Sequence, residues 1–367
     1  MSATARLERY VLARTLAGVF AALAVISTVI LLVQFVDLSR SIGERANVTA
    51  GDLFGLTLLK TPSVIELLLP FAFLFGVGGA FVGLNRSSQL VAMRAAGLSA
   101  WRFITPAALA AFVAGLFAVM ALDPIAATLS ARFEADRAKM MSNYLGDIPK
   151  DIWLRQGDEH TQMVIHAKSR DTVQGEVRLR GVSLFIYQKN KAGQPEFKRR
   201  LEAAEALLRP GFWQLRDVRE ASAGESSVRS DSLSLRSTLD SEAAVERFAS
   251  PDTIAFWRLP AAIRLTEQAG FSASGYRLKF QQGLATPVLF TAMTILAAAF
   301  SLRLARLGGL AGLAGAGVAL GFMVFFFDKF SGALGRADVI PLFAAAWAPA
   351  IVALLSGLTL LCYTEDG

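Results

Sequence analysis

The chain has 367 residues, 54% hydrophobic and 18% charged, with a mean hydropathy of +0.46; soluble domains are roughly half apolar and about 25% charged, so an ordinary soluble protein is excluded. The single cysteine, Cys362, excludes an intramolecular disulfide, and two histidines, His160 and His166, are too few for a His-rich zinc site or a Ser-His-Asp triad. The net charge of +7 contains no Lys/Arg-rich run of the nucleic-acid-binding kind, and 24 Lys+Arg with 21 Asp+Glu fall between Asp123 and Lys279. The order along the chain is therefore membrane, soluble domain, membrane.

Apolar runs of about 20 residues mark the spans. The first runs from Val11 to Val36, entered after Arg6 and Arg9 and closed at Asp37. Its length and its lack of a small-residue cleavage pattern read as a permanent helix rather than a removable signal peptide. The second runs from Leu56 to Leu84, with Lys60 and Glu66 in its first part and Pro62 and Pro70 placed to bend it. The third covers Phe103 to Leu122 and stops at Asp123-Pro124. After the charged block come Phe280 to Arg303, Leu307 to Phe327 and Val339 to Cys362.

Six spans place both termini on one side. Eight basic residues (Arg6, Arg9, Arg14, Arg86, Arg94, Arg102, Arg303 and Arg306) fall on the terminal side, against five (Arg40, Arg45, Lys60, Lys329 and Arg336) in the short loops opposite. The positive-inside bias puts the termini in the cytoplasm and the middle domain outside it.

The middle domain reads as mostly β. Val182 to Gln188 is strand-like, Trp153 to Arg155 and Met163 to Ile165 are shorter runs, and Arg209-Pro210-Gly211 is a hairpin turn between flanking strands. Short strands over about 100 residues suggest a sandwich or jelly roll. After Pro251 the period changes to that of one or two short helices. The expected fold is an α-helical membrane protein of six spans, three plus three, with an inserted all-β, jellyroll-like domain. Residues 1–122 hold spans one to three, 123–250 the β domain, 251–279 a helical connector and 280–367 spans four to six.

The loop between spans two and three carries the most information. Ser87 or Ser88 can cap a helix and Gly97 can end it, giving a segment of roughly 13 Å that is too short to span. Leu90, Met93 and Gly97 lie at i, i+3 and i+7, with Arg86 and Arg94 alongside. Two readings fit: a helix inserted into a groove on a soluble partner, or an interfacial helix whose arginines meet anionic lipid. No Gly-x-x-x-x-Gly-Lys-Ser/Thr loop occurs, so any work against a gradient draws on a partner or an ion gradient.

Glu66 is the intramembrane ionisable residue that an ion-coupled transporter would use. Near a helix end beside Pro70, a hydrated or paired carboxylate is the plainer reading, and an ion-coupled transporter would need a partner charge that the expected spans four to six do not supply. Gly79 with Gly83, Gly308 with Gly312, and Gly317 with Gly321 have the spacing of close helix contacts, between subunits or within the chain; the run Gly308 to Gly321 suggests a face that slides or opens. Arg40, Arg45, Lys60, Arg132 and Arg137 sit at outer helix ends, where they either hold a phosphorylated lipid headgroup or form a solvated face paired with nearby carboxylates.

Ile65-Glu66-Leu67-Leu68-Leu69-Pro70, then Phe73-Leu74-Phe75-Gly76, then Ser88-Gln89-Leu90-Val91-Ala92-Met93-Arg94-Ala95-Ala96-Gly97-Leu98-Ser99 resemble the LptF/LptG permeases of lipopolysaccharide export. Trp153-Leu154-Arg155, the run Leu296 to Arg303 and Ala346-Trp347-Ala348-Pro349 extend the resemblance over essentially the whole chain. Met-Arg-Ala-Ala-Gly is nearer the LptG form than the LptF form.

The resemblance implies a non-catalytic half-transporter without metal or cofactor, multi-pass in the inner membrane with a periplasmic jellyroll. Its implied partners are an LptF-like sister subunit, a cytosolic LptB-like ATPase dimer, an LptC/LptA-like periplasmic bridge and lipopolysaccharide, with no nucleic acid. It makes residues 86–97 the coupling helix, with Arg86, Gln89, Leu90, Met93, Arg94 and Gly97 at the ATPase. Gln89 stands where family members usually have Glu. The resemblance gives the lipid phosphates to the outer basic residues, Arg132 and Arg137 being the best positional matches and Lys60, Arg40 and Arg45 weaker ones. It assigns lateral gating to the first and fifth spans, the fifth carrying Gly308, Gly312, Gly317 and Gly321.

Overall fold

The structure is a computed structural model that describes residues 3–43, 49–145, 152–157, 161–173, 176–189, 195–209, 211–222, 227–237, 250–268, 272–304 and 310–365. They fall into two compact units: Met1–Arg137 with Pro251–Trp257 and Ser274–Gly367, and Ala138–Ser250 with Arg258–Ala273.

In the first unit, α1 (Ala3–Leu38) runs into a π-helical turn, Ser39–Gly43. Helix α2 (Ala50–Arg86) starts at a capping box: Thr49 Oγ1 accepts from the Asp52 N–H at 3.3 Å, and Asp52 Oδ2 accepts from the Thr49 N–H at 3.2 Å. Pro62 and Pro70 are both held inside this one continuous helix. The short α3 (Gln89–Ala95) leads to α4 (Ala100–Phe117), a π turn (Ala118–Leu122) and α5 (Asp123–Leu145).

The third span therefore does not stop at Asp123-Pro124 as expected. Proline ends a helix because it cannot donate to the carbonyl four residues back and crowds it. Here the π turn shifts the bonding, and Trp257 Nε1 reaches the carbonyl of Met120, four residues before Pro124, at 3.5 Å. After α6 (Leu259–Gln268), which belongs to the second unit, come α7 (Ser274–Leu304), α8 (Leu310–Arg336) and α9 (Leu342–Glu365). Six of these helical stretches are long and apolar enough to cross a membrane.

Small residues let the spans meet backbone to backbone, though Gly79 and Gly83 are not among them. Added Cβ atoms at Gly79 and Gly83 would meet nothing within 4 Å. The close crossings are Gly18 with Gly76 between α1 and α2, Gly115 with Pro287 between α4 and α7, and Gly357 with Leu296 between α9 and α7. Gly321 of α8 faces Leu74 and Phe75 of α2 at 3.0 and 3.5 Å, and Gly317 faces Phe75 at 3.9 Å. Gly312 lies in α8, and Gly308 falls outside the described residues. Phe73 against Phe290 and Phe81 against Phe103 fill the core between α2, α4 and α7. Few residues in the apolar stretches of α1 and α8 are fully buried, against most of those in α7, so these two are the least enclosed of the six.

The second unit holds a six-stranded antiparallel sheet in the order β1 (Ile152–Gly157), β2 (Thr161–Val173), β3 (Glu176–Lys189), β4 (Pro195–Arg209), β5 (Phe212–Ser222) and β6 (Val228–Arg236). Each strand pairs with its sequence neighbour, so among the described residues the inserted β domain is a single up-and-down antiparallel meander rather than the two packed sheets of a sandwich or jelly roll. Its buried face comprises Ile165, Leu184, Leu201, Leu208, Trp213 and Leu215 with their neighbours. The period of two slips once in each of three strands, between Leu179 and Val182, Ala203 and Ala206, and Leu215 and Val218. Because the slips lie side by side, the same face stays buried on both sides of the row. Positive φ at Gly181 (59°) and Asp217 (50°) marks two of them.

Candidate functional site

Two features of the helical unit bear on function: the short helix between spans two and three, and a polar cavity between the spans. Helix α3 is seven residues long. Neither serine caps it as expected, since Ser88 is in the left-handed region without a side-chain bond and the Ser87 hydroxyl donates back to the Gly83 and Leu84 carbonyls at 3.0 and 3.2 Å. Gly97 does end it. At φ +80 its N–H bonds the Arg94 carbonyl at 2.9 Å while the Leu98 N–H bonds the Met93 carbonyl at 3.1 Å, a Schellman closure that needs a left-handed residue.

The orientation of α3 changes the roles of its residues. Leu90 and Met93 are 1% and 7% exposed and pack into the core with Val11, Phe103 and Leu361, so they fasten α3 to its own bundle. Gln89 accepts from the Tyr10 hydroxyl at 3.1 Å, and Arg94 Nη2 donates to the Thr364 carbonyl at 2.9 Å. Arg102 pairs with Glu8 at 3.3 Å, a second tie between this corner and α1. What this segment presents outward is Arg86 at the end of α2, Val91, Ala92 and Ala95 on α3, and Ala96 and Gly97 just after it.

At the other end of the bundle lies a cavity of about 640 Å³ bordered by α1, α2, α5, α7, α8, α9 and residues 251–257. Lys60, Arg137, Lys279 and Lys329 line it together with Glu66, Asp123, Glu134, Asp252 and Asp328. Lys60 is half-buried with its ammonium 5.3 Å from the centre of the Phe133 ring, and it has no carboxylate partner among the described residues. Arg137 lines the cavity but Arg132 does not. Five residues of helix separate the two by about 140°, and Arg132 sits exposed on the other side of α5 from Ala126, Ser130 and Arg137. Arg40 is exposed in the π turn after α1, and Arg45 falls outside the described residues. Lys329, which sequence reasoning placed in an outer loop, lines the cavity, 3.5 Å from Asp328 and 5.4 Å from the centre of the Phe325 ring.

A polar joint closes one wall. Asp123, 4% exposed, accepts from the Phe256 N–H at 2.6 Å and pairs with Lys279 at 3.0 Å, while Lys279 donates to the Ile254 carbonyl at 2.7 Å. Every charge in the joint has a partner, as burial requires. Phe256 stacks on Phe280 at 5.1 Å and fills the space above Gly283, where a Cβ would sit 2.8 Å from its ring. The expected fourth span began at Phe280 and missed Lys279. The helix begins at Ser274, so this cation belongs to α7 and lines the same cavity as Glu66.

The cavity is lined by apolar side chains together with five acidic and four basic ones, and the short helix is fastened across the opposite end of the bundle. Comparison with curated proteins finds no match. The family model described as lipopolysaccharide export system permease LptF/LptG matches residues 9–363. With six spans, an inserted β domain and that match over nearly its full length, the chain belongs to the LptF/LptG family of lipopolysaccharide export permeases.

Proposed function

We propose that this chain is the LptG-type subunit of an ATP-driven exporter. It pairs with an LptF-like sister, is driven by a cytosolic LptB-like ATPase dimer, takes lipopolysaccharide from the outer leaflet of the inner membrane and passes it to an LptC/LptA-like periplasmic bridge. The observation that carries this reading is the cavity, whose apolar side chains suit acyl chains and whose Lys60, Arg137 and Lys329 can meet lipid phosphates, with five carboxylates sharing the lining. The low burial of α1 and α8 supports their role as lateral gates beside the sister subunit. In this reading the termini and α3 are cytoplasmic, the β domain is periplasmic, and residues 123–250 and 251–279 are the insertion and its connector. The exposed face of α3, Arg86, Val91, Ala95 and Gly97, docks on the ATPase; Leu90, Met93, Gln89 and Arg94 support it from behind.

One set of co-expressed complexes tests both ends. Val91→Asp removes co-purification of the ATPase, and Lys60→Glu with Arg137→Glu reduces photocrosslinking of lipopolysaccharide to the cavity wall, while Arg132→Glu leaves it unchanged. Retained ATPase in the first variant overturns the docking face, and crosslinking lost through Arg132 rather than Arg137 overturns the cavity as the headgroup site. The sister that co-purifies separates this reading from an LptF-type subunit.

A further inference from the structure

We propose that Arg94 is a positioning residue that ties α3 to the last turn of α9, so that a displacement of α3 reaches the cavity through α9. The proposal rests on the reading of α3 as the ATPase-docking element. The Thr364 carbonyl is one of the last four of α9, which have no partner within their own helix, and Arg94 Nη2 donates to it at 2.9 Å in a half-buried setting. A cation at a helix C-terminus is also favoured by the helix dipole. The two groups are 270 positions apart in sequence, and Leu361, one turn before Thr364, is fully buried in the same cluster as Leu90 and Met93. Helix α3 thus grips α9 by an apolar contact and one charge-assisted bond.

From that grip α9 runs continuously to the cavity. The eighteen residues between Thr364 and Ala346 span about 27 Å of helix, and Ala346, Pro349 and Ala350 line the cavity wall. Along the way α9 is keyed to α7: Gly357 lies against the Leu296 backbone at 3.0 Å, and Trp347 Nε1 donates to Gln281 at 3.1 Å, next to the cavity residue Gln282. A continuous helix carries a push along its length because its own hydrogen-bonded turns are stiff, and its contacts with α7 pass the push on. Arg94 decides whether that push starts.

The test uses the complex with its sister subunit and ATPase in nanodiscs. Its readouts are ATPase co-purification, thermal unfolding midpoint, and the ratio of lipopolysaccharide-stimulated to basal ATP hydrolysis. Arg94→Met and a chain ended after Cys362, which lacks the Thr364 carbonyl, each lower the ratio on the order of tenfold while the ATPase still co-purifies. The combination is no worse than either alone, and Arg94→Lys, which can still donate to the carbonyl, restores most of the ratio. Thr364→Val leaves it unchanged because its backbone carbonyl remains.

An unaltered ratio in Arg94→Met overturns the proposal. So does loss of the ATPase in Arg94→Met but not in the shortened chain, which makes Arg94 a direct contact. So do multiplied effects in the combination. Retained ATPase in Val91→Asp refutes the docking reading separately, whatever Arg94 does.

Discussion

Asp123 and Lys279 form the most consequential polar contact among the described residues of the helical unit, and removing one of them should destabilise it steeply. At 3.0 Å and an effective dielectric of about 20, their attraction is about 5.5 kcal/mol before desolvation is set against it. Lys279→Met leaves the Asp123 carboxylate, with only 6% of its side chain exposed, holding a single N–H donor from Phe256. Stranding one member of a buried pair costs about 3–5 kcal/mol, and the 20% exposure of the Lys279 side chain points to the lower half of that range. Asp123→Asn strands the ammonium instead, with the Ile254 carbonyl as its remaining partner.

The double variant removes both charges while the introduced amide oxygen can still accept from the Phe256 N–H, so it should recover about 1–3 kcal/mol relative to the sum of the singles. The assay is denaturant or thermal unfolding of the purified complex, with the fluorescence of the adjacent Trp257 as a local reporter. Lys279→Met within about 0.5 kcal/mol of the parent, or a double variant equal to the sum of the singles, would refute the account of the joint.

Gly76→Leu pushes α1 off α2, because its Cβ would fall on the Val19 N and Gly18 C atoms at 2.5 and 2.7 Å; overpacking of this kind costs about 1–3 kcal/mol. Gly79→Leu one turn away opens onto free space and should leave the unfolding midpoint unchanged, so equal effects at the two positions would contradict the crossing. Met93→Asp places a carboxylate in the core cluster and should lower the yield of folded complex altogether, whereas Val91→Asp gives folded complex without ATPase. A well-folded Met93→Asp complex lacking only the ATPase would mean that α3 turns its other face to the partner.

The six spans and the inserted β domain are legible in the sequence because bilayer thickness and the two-residue strand period each impose a pattern that few other arrangements satisfy. The errors cluster where a local rule was overridden. Asp123-Pro124 has the form of a stop signal, yet a π turn and the Trp257 indole carry the helix through it. Leu90 and Met93 have the spacing of a docking face, but spacing says only that two residues share a face, and this one is covered by Val11, Phe103 and Leu361. Arg132 and Arg137 match in depth but diverge in azimuth. The Asp123–Lys279 joint pairs residues 156 positions apart, and no local pattern in either segment carries that information. The close crossings at Gly18, Gly76 and Gly115 were missed because glycine is common in membrane helices, and the four-residue spacing picked out Gly79 and Gly83, which face open space.

Helix α1 is gripped unevenly along its length. Val11, Thr15 and Val19 are buried one turn apart beside the Gly18 crossing, while farther along the same face is only half-buried at Leu23, Ile26, Ile30 and Gln34 before Leu38 is buried again. A rod held tightly over one half and loosely over the other pivots at the tight end, and the loosely held half amplifies small rotations there. From Gly18 to Val36 is about 27 Å of helix, so a tilt of about 10° at the glycine crossing moves the far end by about 5 Å. Gln34 sits on that loosely held half and borders the cavity. Such a lever can open or narrow the chamber at little energetic expense, since the apolar side chains it sweeps past leave one hydrocarbon environment only for another.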